Sequence, residues 1–487
     1  VIDTPKVDWL ALAPSLALLA ASGLALLACV LVPAWMRKGV TAGVAFLGFL
    51  LAAGLGIAVF AEALAPETSV ADSMVRDRLA AFGQVVLGVV GALVVLVAWA
   101  ESRRRDHGEL YALLAAAGSG MAFFLNASSL VTLFLGLEWF SLCLYVLVAY
   151  DTERPGSLEA GLKYLVVGGF GSAILLLGCA LVYGATGAIG FAEIAAAGEG
   201  GDPFLIAGLA MILAGLAFKI SASPFHMWTP DVYQGAPTSM TAFMAAATKL
   251  VALIVLLRVL TSAFPEEREI WTIALAVLAA VSLAWGNLAA YGQRDLKRLL
   301  AFSSISHAGF LLIALAAGTE AGAEALLYYL VPYTAMSVGA FAVVAARERE
   351  LGRDVSLEDL AGLGWERPLL GIAMWILLLG FAGFPLTGGM FGKLFAFSAA
   401  YDAGDWWLVV VGALATAVSL GYYLNVVRWM YMRPTTRLRL AVVGGSPPSD
   451  AASGVAIAVS VLVTVGSFFA ASPILDLAGD AASALPW

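Results

Sequence analysis

Leu216-Ala-Phe-Lys-Ile-Ser-Ala-Ser-Pro-Phe-His-Met-Trp-Thr-Pro-Asp-Val-Tyr-Gln-Gly-Ala-Pro237 is the stretch on which the reading of this chain turns. Lys219 stands near the end of an apolar run that begins at Phe204. Shortly after it, Pro224 lacks a backbone donor and would collide with the carbonyl of Ile220, which breaks or kinks a helix. His226 and Pro230 follow at once. A charged group and a broken helix are both costly in lipid. They persist at membrane depth only where they face protein or a water-filled cavity. The stretch reads as an ion-handling site inside a membrane protein.

Composition sets the class. The chain has 487 residues, 62% hydrophobic and 12% charged. Soluble domains run at roughly 45–50% apolar and about 25% charged residues. Apolar runs of membrane-spanning length recur along the chain, which predicts an all-α polytopic membrane protein. The short alternating segments of a membrane β-barrel are not seen. Cys29, Cys143 and Cys179 lie far apart in apolar runs with no CxxC pair, so zinc or iron–sulfur ligation of ordinary spacing is excluded. No cofactor and no metal are expected in this chain. No cleavable signal is expected at the start, because the first span is followed directly by more spans.

Counting apolar runs gives about fourteen spans. The twelfth, residues 366–401, is too long for one straight helix and contains Gly383-Phe-Pro-Leu-Thr-Gly-Gly389, so it is expected as two half-helices. Spans 7 and 12 are both interrupted, at Pro224 and Pro385, and each carries one lysine, Lys219 and Lys393. They lie five spans apart, and an odd repeat must be inverted. Broken helices at matching positions of two inverted halves point to a transport site. The expected division is residues 1–108 for three peripheral helices, 109–264 for a first five-helix repeat (spans 4–8), 265–435 for a second (spans 9–13), and 436–487 for the last helix. Arg37, Lys38, Arg103–Arg105, Arg154, Arg294, Lys297, Arg298 and Arg347–Arg353 fall in odd-numbered loops; the even loops hold only Arg76, Arg78 and Arg268. This bias predicts a multi-pass protein of a bacterial inner membrane, with odd loops in the cytoplasm and both termini outside.

Each buried charge has a bland and a functional reading. Glu138 is the only carboxylate deep in any span; it reads either as a structural ion-pair partner or as the group that tunes a neighbouring lysine. Lys219 is the natural partner. Burial opposes its charge and a nearby carboxylate restores it, so it can exchange a proton near neutral pH. Lys249 is too deep in span 8 to snorkel, and Lys393 follows the break in span 12. His307, in Phe302-Ser-Ser-Ile-Ser-His-Ala-Gly-Phe310, is a proton carrier or a packed, hydrogen-bonded histidine. Lys163 either snorkels or lies on the path. His226 either guards proton access or satisfies carbonyls freed by the break. Arg258 and Arg428 read as anchors or packing partners, and His107 as solvated. Glu138, Lys219, Lys249, His307 and Lys393 could form one hydrated polar line across the membrane plane. No P-loop is present, and Gly168-Gly-Phe-Gly171 follows no strand, so the driving energy must come from an ion gradient or from partner subunits.

Four segments carry a resemblance: Gly136-Leu-Glu-Trp-Phe-Ser-Leu142, Phe218–Thr238, Asp295-Leu-Lys-Arg-Leu-Leu-Ala-Phe-Ser-Ser-Ile-Ser-His-Ala-Gly-Phe310 and Gly383–Lys393. Together they resemble the antiporter-like membrane subunits of respiratory complex I, NADH:quinone oxidoreductase, over roughly residues 100–435. Trp228-Thr-Pro-Asp231 is similar to the subunit N branch, where its relatives read Trp-Leu-Pro-Asp. Another branch carries a long C-terminal lateral helix, for which this chain ends too soon. Cys143 departs from the proline or serine common near the span-5 glutamate. The resemblance implies that Glu138, Lys219, Lys249 and Lys393 carry protons, driven by quinone reduction elsewhere. It implies that NADH, FMN, iron–sulfur clusters and quinone sit on partner subunits. It also implies a neighbouring antiporter-like subunit, small helical subunits and lipids as partners, and no nucleic acid. The rival expectations are a related subunit of a multi-subunit cation/proton antiporter or membrane-bound hydrogenase, and a stand-alone secondary transporter with a roomy pocket at the span 7 and 12 breaks.

Overall fold

A computed structural model describes residues 7–101, 108–197, 201–433 and 451–487. His107 and Arg103–Arg105 lie outside the described residues, as does the start of the last expected unit. The chain begins with α1 (Trp9–Leu31) and α2 (Ala34–Glu62), then a hairpin of β1 (Glu67–Ser69) and β2 (Met74–Arg76). Next come α3 (Arg78–Ala100), α4 (Glu109–Leu125), α5 (Leu130–Val148), α6 (Pro155–Thr186), the short α7 (Phe191–Ala197) and α8 (Pro203–Ile220). After a break follow α9 (Thr229–Gly235), α10 (Thr238–Phe243), a π turn over Met244–Thr248, and α11 (Lys249–Ala263). Then come α12 (Arg268–Tyr291), α13 (Leu296–Ala316), α14 (Glu320–Leu351), a 3-10 turn at Leu357–Leu360 and α15 (Leu363–Glu366). The chain closes with α16 (Pro368–Ala382), α17 (Gly388–Asp402), α18 (Trp406–Met432), α19 (Ala451–Phe469) and α20 (Ala471–Ala482).

The all-α membrane class holds. Among the described residues, twelve helices are long and apolar enough to cross a membrane, against the fourteen expected. Expected span 4 is α4, with 17 residues, or about 26 Å at 1.5 Å per residue. Expected span 12 is divided into α16 and α17, each 15 residues long. Each half is about 22 Å, short of the roughly 30 Å apolar slab. Beside the helices the described residues hold one short hairpin, β1–β2, paired Glu67↔Arg76 to Ser69↔Met74. Arg76 ties it down through Glu67 at 2.5 Å and Asp8 at 2.8 Å. The expectation that the last span closes the chain is corrected by α20, which packs on α14 and α3.

Helix ends follow local chemistry. Asp8 caps α1 by accepting from Leu10 N and Ala11 N at 3.0 and 3.1 Å. Asp77, Asp295 and Thr319 cap α3, α13 and α14 in the same manner. Span 7 ends earlier than the expected residue 224. Helix α8 stops at Ile220, with Ser221 left-handed at φ 65°. The following Ala222-Ser223-Pro224 could not continue it, since the residue before a proline is driven from the helical region.

The helix around Lys249 and helices α13 and α14 form the inner layer; their membrane-length windows are buried fully or almost fully. The outer helices bury one face and turn apolar side chains outward, as Trp35, Leu47, Leu162 and Phe170 do. Within the outer layer, α6 and α8 meet backbone to backbone. A Cβ on Gly178 would stand 2.8 Å from the Gly208 carbonyl oxygen, and one on Gly208 would stand 2.9 Å from that of Gly178. Small residues at such seams let membrane helices approach closely.

A buried ion pair joins the inner and outer layers. Arg258 of α11 donates to both carboxylate oxygens of Asp77, one at 2.9 Å, with exposures of 4% and 1%. Removing one partner leaves an uncompensated charge, so Asp77→Ala is expected to destabilise the protein by about 3–5 kcal/mol. The paired variant Asp77→Leu with Arg258→Met is expected to recover most of that loss. Thermal unfolding in detergent measures both, and a single variant as stable as the parent contradicts the expectation.

Candidate functional site

Lys219 sits in the last turn of α8, 1% exposed. Its ammonium lies over four rings: Phe140 and Tyr145 of α5, Tyr164 of α6 and Phe218, with centroids at 5.4–5.6 Å. Ring faces attract cations, which offsets part of the cost of burial. The expected contact with Glu138 is absent. Among the described residues no carboxylate oxygen lies within 4.0 Å of Lys219. Glu138 instead accepts from the Ser172 hydroxyl of α6, although its charge still acts on Lys219. The reason is placement. Glu138 is half-buried, in line with the exposed Val131, Leu135, Leu142 and Val146 on one face of α5.

Lys249 opens α11 directly after the π turn and is fully buried. It donates to Ser304 Oγ at 2.7 Å. Ser304 Oγ lies 3.1 Å from the Tyr333 hydroxyl, which donates to the Ala245 carbonyl inside the π turn at 3.3 Å. His307 lies one turn further along α13. Its Nδ1 meets the Tyr329 hydroxyl at 2.9 Å and its Nε2 the Tyr423 hydroxyl at 3.3 Å. Tyr423 bonds in turn to Ser303, the neighbour of Ser304. Side chains from α11, α13, α14 and α18 are thus joined in one hydroxyl-rich cluster. A cavity of about 10 Å³ lies against Ser303, Ser304, Ser337 and Tyr333, room for about one water.

Lys393, in α17, is 3% exposed and reaches back across the span 12 break. It donates to the carbonyl of Ala382, the last residue of α16, at 3.2 Å, and to Thr416 Oγ1 at 3.4 Å. Its ammonium stands 4.0 Å from the centre of the Phe310 ring. His307 is near enough to feel the charges of both Lys249 and Lys393. Lys219 is separated from this cluster. Tyr233 lies between, with its hydroxyl near both Ser221 and Ser304 yet bonded to neither.

The remaining expected residues are peripheral. Lys163 is half-exposed and paired with Glu159 at 2.7 Å and Asp231 at 2.8 Å. His226 is buried near Trp285, with ring centroids 6.0 Å apart. Pro224 and Pro385 are exposed at the two breaks. Arg258 is the packing partner described above, and Arg428 is exposed. Sequence reasoning marked the serines beside His307 as a polar patch, but missed Ser172 and the tyrosines 233, 329, 333 and 423. The run Tyr328-Tyr-Leu-Val-Pro-Tyr333, three tyrosines in an apolar helix, was the available signal.

A family model described as NADH:quinone oxidoreductase/Mrp antiporter, TM, matches residues 127–419. NADH-quinone oxidoreductase subunit N of Trichlorobacter lovleyi is 40% identical over 424 residues, 86% of each chain. The protein of the same description from Rhodospirillum rubrum is 38% identical over 481 residues, 96% of each chain. Among solved structures, a chain of respiratory complex I from Thermus thermophilus superposes with a TM-score of 0.79 at 32% identity, covering 96% of this chain and 99% of that one. A chain of the Mrp complex from a Dietzia species superposes with a TM-score of 0.86 at 22% identity, covering 98% and 97%, a likeness of fold.

Lys219 Nζ, Ser221 Oγ and Tyr233 Oη are buried polar atoms with no protein hydrogen-bond partner. Buried polar groups that protein does not satisfy are satisfied by water. An experimental structure that resolves solvent is expected to show ordered water bonded to these three atoms. A dry interval between Lys219 and Lys249 would contradict a hydrated link.

Proposed function

The chain belongs to the subunit N family of NADH-quinone oxidoreductases, antiporter-like membrane subunits of complex I, and on that premise we propose that it carries protons across the bilayer through its buried lysines. The observation that carries this reading is how the lysines are held. Lys219, Lys249 and Lys393 are almost completely buried, and among the described residues none has a carboxylate within 4.0 Å. Rings hold the Lys219 ammonium, a serine hydroxyl that of Lys249, and a ring, a carbonyl and a threonine hydroxyl that of Lys393. Such a site tolerates the charge without locking it, and a modest change in field can remove the proton.

In this mechanism Glu138 is the receiving end. The apolar face of α5 on which it lies would leave a carboxylate facing lipid, a costly placement. A neighbouring membrane-arm subunit covers that face, and a charge change there alters the field of Glu138 on Lys219. Lys219 then gives up its proton through water beside Ser221 and Tyr233 toward Ser304 and Lys249. His307, between the hydroxyls of Tyr329 and Tyr423, hands it on to Lys393, which releases it outside. Reloading from the cytoplasm resets the site. Moving one charge against the membrane potential costs roughly 2.3 kcal/mol per 100 mV. A change of two pKa units in one lysine supplies about 2.7 kcal/mol, which is of the needed size.

NADH, FMN, iron–sulfur clusters and quinone belong in this reading to partner subunits, and the protein resides in a bacterial inner membrane with both termini outside. The two five-helix sets, 109–264 and 265–435, serve as inverted halves. Each contains a break with an exposed proline and a lysine buried beside it.

Lys219→Ala and Lys393→Ala, each in the assembled complex, are expected to cut NADH-driven proton translocation in proteoliposomes several-fold with assembly intact. Glu138→Gln is expected to act in the same direction. Pumping at the parental rate in a correctly assembled Lys219→Ala complex sinks the reading.

A further inference from the structure

A second buried charge cluster lies where α10 begins, and the relay above does not use it. Lys297 of α13 is 1% exposed. Its ammonium donates to the Ala236 carbonyl at 3.0 Å and to Thr238 Oγ1 at 3.3 Å. Glu348, near the end of α14, accepts from the Thr238 hydroxyl at 2.5 Å through one oxygen. Its other oxygen, Oε1, is buried, has no hydrogen-bond partner, and lies 3.5 Å from the Lys297 ammonium. The charged groups facing Glu348 are Lys297 from α13, Glu101 from the end of α3, Asp354 from the turn after α14 and Arg154 from the start of α6. Glu101 is itself engaged by the backbone and hydroxyl of Ser239. Asp354 lies 3.9 Å from Lys297, pairs with Arg154, and lines a polar pocket of about 490 Å³.

We propose that Glu348 is the proton-loading group of the interior relay, taking protons from the pocket beside Asp354 and passing them to Lys249. The inference rests on the reading given under Proposed function. Lys297 is unsuited to the task, because fixed acceptors hold its charge. Glu348 offers an oxygen with no donor, which is where a proton can add.

The route inward is drawn by α14. Glu348, Phe341, Ser337 and Tyr333 recur at helical spacing and share one face. Glu348 and Ser337 are separated by about 17 Å along the axis. At the inner end, Ser337 and Tyr333 line the small cavity, and Tyr333 meets Ser304, the partner of Lys249. Between the two polar ends stands an aromatic constriction, Phe341 edge-on to Tyr233 with centroids 6.1 Å apart. Such a constriction conducts when wetted and insulates when dry. The transfer balances. Hydronium in the pocket gives its proton to the Glu348 carboxylate and is left as water, the acid gives that proton to the neutral amine of Lys249 through water and the hydroxyls of Tyr333 and Ser304, and the carboxylate returns. No electron moves.

The test uses Glu348→Gln, Glu348→Asp and Thr238→Val in the assembled complex, with NADH-driven proton translocation measured against pH. Glu348→Gln is expected to lose pumping several-fold and to lose the alkaline fall-off that a titrating loading group imposes. Glu348→Asp is expected to restore both, and Thr238→Val, which removes the hydrogen bond but not the acid, to keep most of the rate. Parental pumping by Glu348→Gln overturns the proposal, as does an equal loss in all three variants with reduced assembly. If Glu348→Gln pumps normally while Lys219→Ala does not, this inference alone fails; if both pump normally, the underlying reading fails with it.

Discussion

Three ammonium groups within an apolar bundle, with no carboxylate in contact among the described residues, set the terms for the rest of this structure. A charge in a dry interior is tolerated only when something compensates for lost hydration. Here the compensation is piecemeal. Lys219 has four ring faces, Lys249 a serine hydroxyl, and Lys393 a ring, a carbonyl and a threonine. A carboxylate in contact with each would hold it more firmly and make its proton harder to remove. The bundle does build such a pair where permanence suits it, in Arg258 and Asp77.

Each lysine also stands beside an interruption of its helix. Lys219 lies in the last turn of α8, two residues before left-handed Ser221. Lys249 follows the π turn at once. Lys393 bonds to the carbonyl that ends α16. Regular helices consume their own carbonyls, so a polar site inside a membrane needs backbone released from that duty. The interruptions supply it. Ala245 inside the π turn accepts from Tyr333, and Ala382 accepts from Lys393. Backbone geometry and ion chemistry are therefore one feature of the fold.

Much of this was legible in the sequence. Apolar length gave the class, and proline with glycine beside lysine located both breaks. Glu138, Lys219, Lys249 and Lys393 were singled out by the cost of a charge in an apolar run, and His307 by the serines beside it. What escaped was whatever depends on partners distant in the chain. The bond from Ser172 to Glu138, the cage around Lys219 and the bridge from Lys249 to Ser304 join separate helices, and no periodicity encodes them. Hairpin β1–β2 escaped because its strands are three residues each, with Val70, Ala71 and Asp72 left-handed despite lacking glycine. The π turn lies in Met244-Ala-Ala-Ala-Thr248, a run that reads as ordinary helix. Helix α20 carries Ser472-Pro473 in its first turn, a pair that reads as a stop.

The seam between Gly178 and Gly208 has a mechanical consequence. With no side chain interposed at Gly178 and Gly208, α6 and α8 meet backbone to backbone and pack as one unit. That unit bears both Ser172 and Lys219, while Glu138 rides on α5. On the proposed reading, a displacement of α5 relative to α6 and α8 moves the acid away from its tether and its lysine together, and so changes the field at Lys219.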